Sequence, residues 1–163
     1  MITAQTILSF ERTARREGSG ISTDDLLGTW LLQQTWTPKG SSPTPGTVLL
    51  LRGLNARLQL TRRDQDLEII NSVSLGTLQL NFSGKADLQG VRPLLVFSFG
   101  HVYLSLGPWI LLKRSIPTPT KQRMPFFALI SQAEDGSWLS ARGRGGGLAL
   151  WVKTTSFDEA KNN

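Results

Sequence analysis

The sequence has 163 residues, a length that fits one domain and buries roughly 68–70% of the unfolded surface without staples. It holds no cysteine and one histidine, His101, which excludes disulfide frameworks, thiolate metal sites, cysteine nucleophiles and two-histidine metal sites, and suits a reducing compartment. Eighteen Lys and Arg against twelve Asp and Glu leave a net charge of +6, a basic balance that favours an anionic partner, either nucleic acid or a lipid surface.

Apolar runs such as 94–97 and 109–112 are four residues long and none exceeds five, whereas a membrane-spanning helix needs about 20. The first twenty residues lack the apolar block of a secretory signal. The expectation is a soluble chain that is not exported.

Taken in order, residues 2–16 carry Ile2, Ile7, Phe10 and Ala14 at helical spacing, with Arg12, Arg15 and Arg16 near the end, and predict one amphipathic helix. Two roles fit it: a helix lying on an anionic membrane surface through Arg12, Arg15 and Arg16, or a helix capping the mouth of the domain. Gly18–Gly20 end it, so 1–20 reads as helix and linker and 21–163 as a single domain. Ser22 or Thr23 before Asp24 and Asp25 predicts an N-cap and one short turn.

From Gly28 onward the pattern is all-β. Leu78, Leu80 and Phe82 alternate with Gln79, Asn81 and Ser83; Val102, Leu104 and Leu106 repeat the logic, as do Leu58 and Leu60. Further strands are expected at 30–36, 47–51, 67–73, 94–99, 110–113, 126–131 and 148–154. Eight to ten short strands between turn signals suggest an antiparallel meander or barrel. Two longer Pro-rich loops, 38–46 and 116–125, are the candidates for lids.

Gly28–Thr29–Trp30, a glycine two residues before a tryptophan at the first strand, resembles a lipocalin opening: the glycine admits the incoming turn and the indole plugs one end. Arg142 is expected to close the barrel from the other side by stacking on Trp30, a cation–π contact worth about 0.5–2 kcal/mol.

The C-terminal run Ser137–Trp138–Leu139–Ser140–Ala141–Arg142–Gly143–Arg144–Gly145–Gly146–Gly147–Leu148–Ala149–Leu150–Trp151 resembles the closing hairpin of the plastid lipid-associated proteins, also called fibrillins or plastoglobulins. Leu27–Leu32 resembles that family's first strand, and the likeness extends over roughly 25–153. It departs at Ser140 and Ala141, where the family has acidic residues.

The resemblance implies a lipocalin-like antiparallel β-barrel that binds a lipophilic small molecule or lipid, such as an isoprenoid, quinone, carotenoid, chlorophyll derivative or fatty acid. It also implies a place at thylakoid membranes or lipid globules, in cyanobacterial cytoplasm or plastid stroma. Trp36, Phe82, Phe97, Phe99 and Tyr103 are the expected lining, since a barrel of about eight strands is wide enough for side chains or one small ligand.

Other classes fit less well. Arg142–Gly147 resembles an RGG element, but a single copy between apolar strands reads as a hairpin turn, so no nucleic-acid partner is expected. The acidic pairs Asp24–Asp25, Asp64/Asp66 and Glu134–Asp135 lie where carboxylates cap and solubilise. His101 has no nameable acid or base partner. The chain is therefore read as non-catalytic, with no metal or cofactor; the alternatives are a lipocalin-like tetrapyrrole chromophore lyase and a filled-barrel scaffold.

Overall fold

The computed structural model describes residues 2–41 and 55–154. The expected strand at 47–51 and part of the first Pro-rich loop lie outside them. Helix α1 (Ala4–Glu17) starts at Thr3, whose hydroxyl accepts from the Thr6 N–H at 3.2 Å. The short α2 (Thr23–Leu26) opens on Ser22, whose N–H and hydroxyl donate to the Asp25 carboxylate at 2.8 and 2.7 Å. Those donations hold the Asp25 carboxyl below its ordinary pKa.

Among the described residues nine strands follow: β1 (Gly28–Trp36), β2 (Arg57–Arg63), β3 (Asp66–Leu75), β4 (Leu78–Gln89), β5 (Leu94–Leu106), β6 (Trp109–Ser115), β7 (Phe126–Gln132), β8 (Trp138–Gly143) and β9 (Leu148–Lys153). All their pairings are antiparallel. The order β4-β3-β2-β1-β9-β8-β7-β5, with β4 also paired to β5, closes eight strands into a ring. Strand β6 stands outside that ring, paired to the distal half of β5.

Directly opposed residues share a face of the sheet. The inner face carries Trp30, Leu58, Leu60, Ile69, Leu95, Phe97, Leu129, Leu139 and Trp151, which form the main core together with Leu26 from α2. A second core lies outside the ring. There Ala4 and Ile7 of α1 pack on Ile130, Leu148, Leu150 and Trp36.

Helix α1 therefore runs along the outer wall and caps neither end. Its apolar stripe is already covered: Ile7 is fully buried, a contribution of roughly 1.5–3 kcal/mol. Arg12 and Arg16 are exposed on the far side of the helix, and Arg15, also exposed, reaches back to Glu11 at 3.0 Å.

Single-residue bulges decide which side chains face inward. In β1, Leu32 opposes Trp151 but Gln34 opposes Leu150, so one extra residue turns the end of the strand over. Across β4 and β5, Ser83 opposes His101 while Gly84 opposes Phe99, which makes Gly100 the extra residue. Phe97 and Phe99 face inward before it; Val102 and Leu104 face inward after it.

Beyond the ring, the ends of β3, β4 and β5 continue with β6 as a four-stranded flap. Two apolar rows cross its inner side: Leu75, Leu78, Leu106 and Trp109 at the tip, and Val73, Leu80, Leu104 and Leu112 behind them. The other side carries Ser72, Asn81, Tyr103 and Lys113, opposed in one row.

Candidate functional site

The floor of the ring is built around Trp30, which has no exposed surface. Its indole N–H donates to the Leu26 carbonyl at 2.8 Å, so α2 plugs this end and the buried donor is satisfied. Gly28 has φ +125°, and a Cβ there would lie 2.8 Å from Cε of Lys153. The absent side chain lets Lys153, opposite Trp30 in the β1–β9 pairing, bring its Nζ to 5.1 Å from the centre of the Trp30 ring.

The cation on Trp30 is thus Lys153, which corrects the expected Arg142 stacking. Strand alternation gives the reason: Ala141 points into the main core, so Arg142 points outward beneath α1. There its Nε and Nη2 donate to Glu11 Oε1 at 2.7 Å and Oε2 at 2.6 Å, and its Nη1 donates to the carbonyls of Pro38 at 3.2 Å and Gly146. Arg92 and Arg15 also reach Glu11 Oε1, at 3.1 and 3.0 Å.

Glu11 is only 4% exposed. The hydrogen bonds from Arg142 outweigh the cost of its burial and, with those from Arg15, hold its pKa at about 2. Arg142 is correspondingly raised by Glu11. This clamp ties the N-terminal helix, the β4–β5 turn and the closing hairpin together, and Glu11 is its hub.

Above the floor the inner face is a run of touching rings. Phe127 meets Trp151 at 6.2 Å between centroids, Phe97 meets Phe127 at 5.2 Å, Phe99 meets Phe97 at 5.3 Å and Phe82 meets Phe99 at 5.5 Å. Exposure grows along it: Phe97 is buried, whereas Phe99 and Phe82 are half-buried. The ring is packed near its floor, and its accessible apolar surface lies towards the flap.

Three of the five expected lining residues, Phe82, Phe97 and Phe99, share this inner face. Two do not. Trp36 opposes Leu148 on the outer wall under α1, turned over by the β1 bulge. Tyr103 lies on the outer side of the flap after the Gly100 bulge, with His101 at 6.2 Å and Lys113 Nζ at 5.5 Å from its ring centre. It borders a cleft of about 330 Å³ whose other walls include Thr29, Arg57, Gln59 and Asn81.

The second Pro-rich loop is pinned to the outer wall. Arg144 donates to the carbonyls of Gln122 at 2.7 Å and Met124 at 3.1 Å, so the loop borders a cleft of about 450 Å³ beside β5 and β7. Both arginines of the Arg–Gly run are engaged within the fold, and Gly146 turns the β8–β9 hairpin with φ +86°.

Val102, Leu104, Leu80 and Val73, absent from the expected lining, extend the inner face to the flap. The alternation of Val102, Leu104 and Leu106 was the signal for them. Glu11 was also missed, and its sign is a carboxylate standing in the helix's buried stripe with Ala4, Ile7 and Ala14.

Among the described residues no group of three His, Asp or Glu could hold a metal ion, and no helix is long and apolar enough to cross a membrane. Neither a protein-family model nor a curated protein matches the chain. The likeness to the plastid lipid-associated proteins rests on the hairpin and first-strand residues quoted for it.

Proposed function

We propose that the ring of eight strands is a lipocalin-like barrel that binds a lipophilic small molecule or lipid without transforming it, with Phe82 and Phe99 as the ligand's main contacts. The supporting observation is the graded inner face. It is plugged by Trp30 and α2 at one end, packed with rings in the middle, and apolar yet half-exposed towards the flap, which suits a hydrophobic ligand held near one end.

The resemblance of the closing hairpin adds the ligand class, an isoprenoid, quinone, carotenoid, chlorophyll derivative or fatty acid, and a peripheral place at a photosynthetic membrane. A second reading, a filled scaffold acting through its surface, draws on the packed rings of Phe97, Phe127 and Trp151.

The test is to purify the folded protein from a pigment-producing host, extract it with organic solvent and take absorbance and mass spectra. A stoichiometric isoprenoid, chlorin or acyl lipid is expected. A bilin would bring forward a tetrapyrrole chromophore lyase, and an empty extract the filled scaffold.

A further inference from the structure

We infer that the tip of the flap is a membrane-docking element that enters a bilayer carrying anionic headgroups. The inference deepens the lipid-binding proposal by giving it a surface, but rests on different residues. The tip row consists of Leu75, Leu78, Leu106 and Trp109, at 61%, 39%, 45% and 72% exposure, and β6 adds Ile110 at 67% and Leu111 at 56%. A contiguous apolar surface of this kind marks a place of contact with a protein or a membrane.

Two features of the tip choose the bilayer. First, it is apolar all round at β6: Trp109 opposes Leu106 on the inner side, Ile110 opposes Ser105 on the other, and Leu111 is the extra residue between Ile110 and Leu112. A protein partner laid on one side of the sheet leaves Ile110 in water, whereas acyl chains surround an inserted tip on every side.

Second, the charge is one-signed and set back from the tip. Residues 69–84 and 100–115 contain no Asp or Glu, but they contain Lys113 and Arg114. Lys113 and Arg114 follow the apolar run directly on β6. An apolar end with a tryptophan, then a basic collar one step back, matches the layering of hydrocarbon, interface and anionic headgroup. Helix α1 lacks this arrangement, because its apolar stripe is spent on the ring.

The full chain should be floated with vesicles of mixed phosphatidylcholine and phosphatidylglycerol, and with phosphatidylcholine alone. It should float with the anionic vesicles, and acyl chains carrying bromine should quench a share of tryptophan emission that disappears in Trp109→Phe. The double variant Trp109→Ser/Ile110→Ser, at exposed positions, should keep its melting temperature and bind about tenfold more weakly or worse. Lys113→Gln/Arg114→Gln should lose the preference for anionic vesicles, and Arg12→Gln/Arg16→Gln should float as the natural chain does.

Failure of the natural chain to float, flotation untouched by Trp109→Ser/Ile110→Ser, or absence of bromine quenching at Trp109 would each overturn the inference. So would a dimer in lipid-free solution that the same double variant dissociates, which would assign the tip to a second copy of the chain. Vesicle binding without an extractable ligand would sink the ligand proposal alone; an extractable ligand without vesicle binding would sink the docking element alone.

Discussion

Glu11 on α1 and Arg142 on β8, 131 positions apart in the chain, meet in a two-point carboxylate–guanidinium contact at 2.7 and 2.6 Å. The geometry fixes direction as well as distance, because the planar fork matches both carboxylate oxygens. Removing one partner strands the other charge beneath α1, so Glu11→Ala should cost about 3 kcal/mol or more in urea unfolding. The pair of Arg62 with Asp24 at 2.9 Å is mostly solvent-exposed, and Asp24→Ala should cost only about 0–1 kcal/mol. Equal losses for the two variants would remove Glu11 from its role as clamp.

The same carboxylate sets an acid limit. Its folded pKa of about 2 lies below the ordinary 4.5, so the folded state holds fewer protons than the unfolded state in that interval. The stabilisation is fully present above pH 4.5 and is lost as pH falls towards 2. A shift of this size corresponds to about 3 kcal/mol. Glu11→Gln should flatten the fall in stability over this interval, as read from urea midpoints at successive pH values, while leaving the unrelated acid response of Asp25 in place.

Much of this architecture was legible in the sequence, and the misplacements of Trp36 and Tyr103 share one cause. The helix at 2–16, the turn at Ser22 and the all-β remainder follow from periodicity, caps and turn residues. Phe97, Phe99 and Tyr103 stand at odd positions, so strict alternation places all three on one face. However, Val102, Leu104 and Leu106 form an apolar set at even positions in the same strand. The two sets are compatible only if one residue is skipped between them, and Gly100 is that residue. Trp30 and Trp36 are likewise separated by an even count that the β1 bulge breaks.

Arg142 failed differently: its outward direction follows from the alternation Leu139, Ala141, but its partner sits in a helix at the far end of the chain. Local pattern carries no information on that pairing. The only local hint was an acid in a buried stripe.

The bulge itself is testable at its two glycines. A Cβ on Gly84 would fall 1.8 Å from the Ser98 carbonyl oxygen, backbone that cannot swing aside, while a Cβ on Gly100 meets nothing within 4 Å. Gly84→Ala should therefore cost several times more than the roughly 0.5 kcal/mol of an ordinary surface change, and Gly100→Ala should stay within that range. Thermal melts of the two variants compare them directly. A Gly100→Ala loss equal to that of Gly84→Ala would place the crowding elsewhere.

The inward and outward assignments also separate side chains that composition alone treats alike. With a fluorescent polyene fatty acid as the probe, Phe99→Ala and Phe82→Ala remove half-buried rings from the proposed contact surface and should weaken binding by roughly 1–2 kcal/mol each, the apolar area of part of a ring. Tyr103→Ala removes an equally large ring from the opposite side of the sheet and should leave binding unchanged. Trp36→Ala should lower stability by about 3–5 kcal/mol, because it opens a cavity under α1 beside Leu148 and Leu150, but should leave the probe's affinity for the folded fraction intact. If Tyr103→Ala weakened the probe as much as Phe99→Ala, the ligand would belong in the outer cleft beside Arg57 and Asn81 instead of the ring.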